Sequence, residues 1–434
     1  MTERSVLAAV SGIQANQTYL DSIGNNIANA DTVGYKASQI QFQDLLAEQI
    51  SGASGPTAGS AGINPVAVGS GVRVAANEVN LQEGSLMQTG NPNDVAIQGN
   101  GYLVVQSGGQ QLFTRDGSLT TDANGNLSTQ TGGLIMGWQA TANGTVNTNA
   151  PLSPIKIPQG ETIGATATTT LDLGGNLPAW NGTGTAPVET TTYNAYDALG
   201  NVVPVTLTFT GVTGTANEWT VQGTVPNPSG GTASQLWSTA PTITFDPTTG
   251  GVKSITGVTA NPDGSFSLKV GTMPTGYSFP TGDTWTLDFP SPSTANAVTQ
   301  YAAASTIQIN HQDGYASGTL QSYSIGSDGT ITGSFSNGAT LALGQIALAN
   351  FANAGGLADQ GGGLFATSPN SGQALIGTPG TGGRGALLGG ELEQSNVNLG
   401  TELTNLITAQ EAYTANTKTL TTSSTVIQAL ENVP

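Results

Sequence analysis

Residues Leu399–Ile427, LGTELTNLITAQEAYTANTKTLTTSSTVI, decide the fold. Leu399, Leu406, Tyr413, Leu420 and Ile427 recur every seven residues. That repeat keeps one side of an α-helix turned toward a partner helix. The alternate row, Leu403, Gln410, Thr417, Ser424 and Glu431, is apolar only at its first position, so the helix carries half of a coiled-coil seam. Asn398 is placed to cap it and Glu402 to sit in its positive first turn. Its many threonines are weak helix formers, so it needs a partner.

The partner is expected at the other end of the chain. Val6, Val10, Ile13, Leu20, Ile23 and Ile27 follow a spacing of threes and fours, with Gln17 filling the gap. Thr2 can cap this helix and Glu3 suits its first turn. Asn25, Asn26, Asn29 and then Gly34 read as its fraying end. Each helix is predicted to run about 25 residues, or about 37 Å. The two termini then pair as a coiled coil, and everything between them is inserted. A lone pair with half a seam is expected to be disordered in a monomer and to fold when neighbouring copies cover it.

The middle reads as β throughout. Asn124-Gly125, Asn337-Gly338, Asp263-Gly264 and Asp328-Gly329 are hairpin turn signals. Between such turns, alternating runs such as Val202–Thr210, Thr242–Phe245, Thr284–Phe289 and Thr340–Ala349 predict short strands. Residues 51–62, SGASGPTAGSAG, read as a flexible linker, and Pro290-Ser291-Pro292-Ser293 as a second boundary.

Composition removes most chemistry. The 434 residues include no cysteine and one histidine, His311, which rules out thiolate metal sites, Cys nucleophiles and multi-histidine metal sites. Only 8% of residues are charged, and the net charge is −18. Without clustered Lys or Arg, nucleic acid is not an expected partner. No run of about 18 apolar residues predicts a membrane span, and residues 1–17 do not form a signal-peptide apolar core.

Three motifs have bland readings. Gly380-x-Gly382-x-x-Gly385 lacks the strand and helix that a dinucleotide loop requires, so a flexible hairpin is expected. Asp122-x-Asn124-x-Asn126 opens like a calcium loop but lacks its later Gly and Glu. His311 and Asp313 would share one strand face, and a polar residue flanking a turn is the default reading. No catalytic, cofactor or metal residues are assigned.

The stretch Asn25-Asn26-Ile27-Ala28-Asn29-Ala30-Asp31-Thr32-Val33-Gly34-Tyr35-Lys36 resembles the N-terminal signature NNIANxxTxGYK of the axial proteins of the bacterial flagellum. Leu392-Glu393-Gln394-Ser395-Asn396-Val397-Asn398-Leu399, followed by Leu406-Ile407-Thr408-Ala409-Gln410-Glu411-Ala412-Tyr413 and Asn416, is similar to their C-terminal pattern. Gly84-Ser85-Leu86, Thr89-Gly90-Asn91-Pro92 and Phe113-Thr114-Arg115-Asp116-Gly117 are shared by rod and hook proteins. Tyr196-Asp197-Ala198-Leu199-Gly200-Asn201 and Ser334-Phe335-Ser336-Asn337-Gly338 resemble the hook proteins in particular.

The resemblance implies a mainly β chain with terminal α-helices and nested, discontinuous domains. Two all-β domains would be inserted into the coiled coil of the N- and C-terminal helices. Residues 1–72 with 391–434 would form the inner helical domain, 73–158 with 298–390 the middle β domain, and 159–297 the outer β domain. It further implies a structural, non-enzymatic subunit of the hook. That subunit would polymerise into a curved tube with an axial channel, a universal joint between rod and filament. Its self-assembly seam would be Val6, Val10, Ile13, Leu20, Ile27, Leu399, Leu403, Leu406, Tyr413, Leu420 and Ile427. Its signature residues would be Asn25, Asn26, Asn29, Gly34, Tyr35, Asn396, Gln410 and Asn416. Implied partners are further copies, the distal rod, hook cap and hook–filament junction proteins, and the flagellar type III export apparatus that would carry it outside the cell. A distal rod protein and an extracellular β-rich adhesin are the alternatives, with a carbohydrate-active enzyme behind them.

Overall fold

The computed structural model describes residues 2–431 except 54, 57, 58, 60, 161, 229, 271–276 and 280–284. Two helices bracket a β interior: α1 spans Thr2–Ala28 and α2 spans Leu399–Glu431. The chain divides into two compact units. One holds residues 1–157, 323–332 and 342–434, and the other holds 158–322 and 333–341. Residues 298–322, which the sequence reading gave to the middle domain, therefore lie in the insert.

In the first unit α1 and α2 pack against each other as an antiparallel pair. Ser5 Oγ lies 3.0 Å from Ser423 Oγ, and a Cβ built on Gly12 would sit 2.8 Å from Nδ2 of Asn416. The pairing predicted from the two stripes is present. The rows that face inward differ from those read as the seam. On α1 the buried residues are Ala9, Gly12, Ala15, Ile23 and Asn26; on α2 they are Ala409 and Ser423, with Glu402 and Asn416 half-buried. On α2 this row lies one residue before the alternate row Leu403, Gln410, Thr417 and Ser424, three of whose members are exposed. Small and polar residues form it, so a search for apolar periodicity passes over it. They let the helix axes approach closely, which larger side chains would prevent.

After α1 the chain reverses and runs back along it as a two-stranded β arm. Ser38–Asp44 pairs antiparallel with Val72–Val79, with a bulge between Gln41 and Phe42. Farther out, Glu48–Ser51 pairs with Val66–Val68. Tyr19 meets Phe42 edge-on at 5.6 Å, Ser11 Oγ accepts from Val72 N at 3.2 Å, and Arg4 reaches Glu48 at 2.6 Å. The arm thus follows α1 along much of its length. Residues 51–62, read as a linker, lie between two strands that pair with each other, so they close a hairpin. Ser54, Thr57, Ala58 and Ser60 of that stretch lie outside the described residues.

The rest of this unit is a β body. Leu134–Gln139 pairs with Tyr102–Ser107 on one side and with Gly344–Ile346 on the other. Tyr102–Ser107 also forms a hairpin with Gln110–Thr114. Its core gathers Tyr102, Val104, Phe113, Met136, Trp138, Ala347, Ala349 and Phe351, with the Phe113 and Phe351 rings edge-to-face at 4.8 Å. The predicted run Thr340–Ala349 is broken into strands Thr340–Ile346 and Leu348–Asn350.

The insert is built from two sheets around one core. Val188–Tyr196, Val202–Gly211, Glu218–Val225, Thr242–Phe245 and Val252–Ile255 form an antiparallel sheet in that order. In the other, Thr170–Pro178 pairs with Thr286–Phe289 and Val298–Tyr301 in parallel and with Gln308–Gln312 antiparallel. Burial alternates along Val202–Gly211, the period of a strand with one covered face. Phe209, Trp219, Trp285, Phe289 and Leu171 meet in the middle. Thr284 of the predicted run 284–289 lies outside the described residues. Pro290-Ser291-Pro292-Ser293, read as a boundary, joins two strands that both pair with Thr170–Pro178 and so lies within one sheet.

Candidate functional site

Once paired, α1 and α2 leave apolar residues uncovered. On α2, Leu399 is 47%, Leu403 51% and Ile407 58% exposed; on α1, Leu7 is 64% and Val10 36% exposed. Val6, Ile13, Leu20, Ile27, Leu406, Tyr413, Leu420 and Ile427 are half-buried along the edges of the interface. The arm adds Leu46, Ile50, Ile63 and Val66, all more than half exposed. Single exposed apolar residues are ordinary, but several on the two helices and the arm of one unit make these elements candidates for association.

At the base of the helices the signature residues come together. The carboxamide of Asn26, buried in α1, grips one residue of the returning strand. Its Nδ2 donates to Ser38 O at 2.8 Å, and its Oδ1 accepts from Ser38 N at 2.9 Å and from the Tyr35 hydroxyl at 3.1 Å. The side chain imitates a strand neighbour. Asn396 does the same from the C-terminal side: Oδ1 accepts from Ala37 N at 2.8 Å, and Nδ2 donates to Asn80 O at 2.9 Å and Gln82 O at 2.8 Å. Gly34 donates its N–H to Glu393 O at 2.8 Å. It holds φ +68°, and a Cβ there would lie 2.9 Å from the Arg115 backbone, so glycine is required twice over. Burial, with Asp359 and Glu402 nearby, pushes the Tyr35 phenol up from its ordinary value.

The other signature residues lie apart from this junction. Asn25 and Asn29 close the helix end, Asn29 Nδ2 donating to both Asn25 O and Asn25 Oδ1 at 2.9 Å. The expected fraying end is therefore a bonded one. Asn416 faces Gly12, and Gln410 is exposed. Asn398 caps α2 as predicted: its Oδ1 accepts from Thr401 N at 3.1 Å.

Beneath these asparagines lies a charged cluster that sequence reasoning missed. Glu393 takes Lys36 Nζ at 2.5 Å on Oε1 and Arg115 Nε at 3.2 Å on Oε2. All three side chains are almost fully buried. Lys36 also donates to Gln82 O at 2.7 Å, Arg115 to Gly99 O at 2.6 Å, and Gly84 N to Glu393 Oε1 at 2.9 Å. Burial lowers the pKa of Lys36, with the contact to Glu393 opposing that shift. Each member sits in a stretch quoted above for its family likeness, yet nothing in spacing joins residues so distant in sequence.

The three bland motifs resolve locally. The Asn126 side-chain amide first, donating to Asp122 Oδ2 at 2.8 Å, and then the N–H groups of Asn126 and Asn124, donating to Oδ1 at 2.8 Å each, hold the Asp122 pKa down within its own turn. Gly380 N donates to Gly385 O at 2.8 Å in a tight turn between Leu375–Gly377 and Ala386–Gly389. Those strands pair with different neighbours, so the expected hairpin is not formed. Asp313 accepts from Thr169 N and Thr170 N rather than pairing with the exposed His311. Among the described residues no helix is long and apolar enough to cross a membrane, and no group of three or more His, Cys, Asp or Glu could hold a metal.

Four family models match the chain. They are the flagella basal body rod protein over 7–36, the flagellar hook protein FlgE/F/G D1 domain over 96–176, the flagellar basal body protein FlaE D2 domain over 177–315, and the flagellar basal body rod FlgEFG protein C-terminal over 388–433. The chain is 36% identical to the flagellar hook protein FlgE of Treponema pallidum, with 98% of each chain covered. It is 35% identical to the Salmonella typhimurium protein of the same name, again over 98% of both. Among solved structures, the Helicobacter pylori flagellar hook protein FlgE2 has a similar fold, with a TM-score of 0.50 at 16% identity over 69% of this chain and 98% of that one.

Proposed function

The chain belongs to the flagellar hook protein family, and from that premise we propose how its ends build the hook. It is a structural subunit of the hook, a component of the extracellular flagellum. The finer reading is a homopolymer. The rows Val6, Val10, Ile13, Leu20 and Ile27 on α1, and Leu399, Leu403, Leu406, Tyr413, Leu420 and Ile427 on α2, bury against neighbouring copies. The observation that carries this reading is that every residue of these rows stays half-buried or exposed after the helices have paired, with Val10, Leu399 and Leu403 the most open. Full burial of one leucine contributes roughly 1.5–3 kcal/mol. Several per copy, repeated along a tube, drive assembly.

The nested three-domain layout read from the sequence remains part of this proposal, with the outer boundary moved to about residue 322 on the division into compact units. The tube is curved and acts as a universal joint. Its channel is lined by the polar helix faces rich in Asn, Gln, Ser and Thr, to which an unfolded export substrate has little to adhere. Distal rod, cap and junction proteins and the type III export apparatus are its partners. The role is structural, without catalysis, cofactor or metal.

Electron microscopy of native and Leu403→Asp protein tests the seam. The native chain forms tubes, and more readily in salt that screens the −18 charge. The variant keeps a native circular dichroism spectrum and forms none. Normal tubes from Leu403→Asp would refute the seam.

A further inference from the structure

Lys36 and Glu393 stand 357 residues apart in sequence, yet they meet in a buried ion pair. Arg115 joins them from a third segment. The two cations come from segments that precede the insert, and the single anion comes from one that follows it. The other hydrogen bonds of the cations go to the carbonyls of Gln82, Gly99 and Ile97, which carry no charge. Arg115 also lies 5.8 Å over the Tyr102 ring. Glu393 is thus the one carboxylate in direct contact with either cation among the described residues.

We propose that Lys36, Arg115 and Glu393 form a chain-completion lock, in which the N-terminal junction closes only when residues 391–396 arrive with Glu393. Closing 34–38 against 80–84 without Glu393 would bury the Lys36 ammonium and the Arg115 guanidinium with no carboxylate in contact, Glu83 acting on Lys36 only from a distance. Removing one member of a buried ionic group is strongly unfavourable for that reason, whereas replacing the group by apolar residues is often neutral. The converse holds for Glu393, whose side chain is 0% exposed. The backbone bonds follow the charges. Gly34 N–H to Glu393 O, Gln394 N–H to Ser85 O, and the Ala37 and Gln82 bonds to Asn396 all cross the same junction. Consequently both ends of the chain order together or stay open together. The inference does not depend on the tube, since it concerns one chain.

The test is amide hydrogen exchange on the full chain, in whichever state, free or assembled, protects residues 34–38 of the native sequence. Glu393→Gln keeps the shape and removes the charge. The lock predicts exchange on the order of a hundredfold faster at Gly34, Ala37, Ser38 and Gly84, together with residues 394–396. Strand Val202–Gly211 stays unchanged. Lys36→Met in the Glu393→Gln background restores most of the protection, because it removes one unpaired cation. Faster exchange confined to 393–396 and 84, or a further loss in the double variant, overturns the lock. So does a native chain in which 34–38 is protected in neither state. Should Glu393→Gln fail to fold, Glu393→Asp keeps the charge on a shorter arm. It must loosen both ends equally, and loosening of the C-terminal side alone overturns the proposal.

Discussion

The insert and the helix pair bury side chains by opposite rules. The insert closes two sheets over Phe209, Trp219, Trp285 and Phe289, each at most 1% exposed. The helix pair closes over Ala9, Gly12, Ala15, Ala409 and Ser423, and leaves Leu7, Leu399 and Leu403 exposed. The first has a core large enough to stand by itself. The second leaves much of its apolar surface half-buried or exposed within one chain, and on the reading proposed above neighbouring copies cover it. On that reading the insert is finished before assembly and the helix pair is finished by it.

The most damaging single change on the insert's side is Phe209→Ala. Removing a fully buried ring costs about 3–5 kcal/mol. Calorimetry should show the insert's transition fall, with the helical signal unchanged. A loss shared equally by the helices would mean that the two regions unfold as one, and the contrast would fail. On the other side, the largest effect comes from Asn26→Leu. It keeps the branched heavy-atom skeleton but leaves Ser38 N–H without its Asn26 partner and Ser38 C=O with only the long 3.4 Å bond from Ser22 Oγ at a half-buried point, at a cost of about 1–3 kcal/mol. Protease should then cut near 34–38 first, with the insert left intact.

What was readable in the sequence follows the same contrast. Alternation with large apolar residues is a strong signal, so Thr242–Phe245 and most of Val202–Gly211 were legible to the residue or nearly so. The helices were legible too, and so was their partnership, because two lone stripes at opposite ends have no other partner. The row that meets inside the pair was not legible. It consists of Glu402, Ala409, Asn416 and Ser423 opposite small residues, and pattern reading weights apolarity rather than size. The β arm was missed because Ser38–Asp44 alternates polar with apolar residues in a polar stretch and Gly-rich residues follow at its tip. The Lys36–Arg115–Glu393 cluster depends on three-dimensional closure, which no local pattern encodes.

Gly12→Val sharpens the comparison by making the helix pair obey the insert's rule. Larger side chains are tolerated where a core is built for them, but here the new Cβ meets the Asn416 amide at 2.8 Å. Overpacking of this kind costs about 1–3 kcal/mol. The pair should splay, so tubes should fail or change form while the insert's melting stays put. If Gly12→Val assembles normally, close approach of the helix axes is not what the small row provides. Asn398→Ala is milder. It removes the cap on Thr401 N and costs about 1 kcal/mol of helix stability, read as a small shift in the helical melting curve alone.

The smallest expected effect separates two carboxylates within the insert. Asp172 lies in register with Asp288 on the parallel strand beside it and with His311 on its other side. Desolvation first, and then Asp288 and Asp313, raise its pKa, while His311 opposes them. A carboxyl whose folded pKa is raised adds stability below its unfolded value, and that gain is lost as pH rises through the folded value. Asp197 behaves oppositely. Burial would raise it, but bonds from Asn201, Ser278 and Leu199 outweigh burial and lower it. Its contribution is present above the unfolded value and is lost as pH falls. Urea midpoints of the insert's transition, taken near neutrality and again within the carboxylate range, should therefore move in opposite senses. Relative to the native chain, Asp172→Asn should gain stability near neutrality and lose that advantage in acid. Asp197→Asn should lose stability near neutrality and approach the native chain in acid. If Asp172→Asn shows no pH-dependent difference, the Asp288–Asp172–His311 row is screened well enough by solvent that like charges opposite one another cost the sheet nothing.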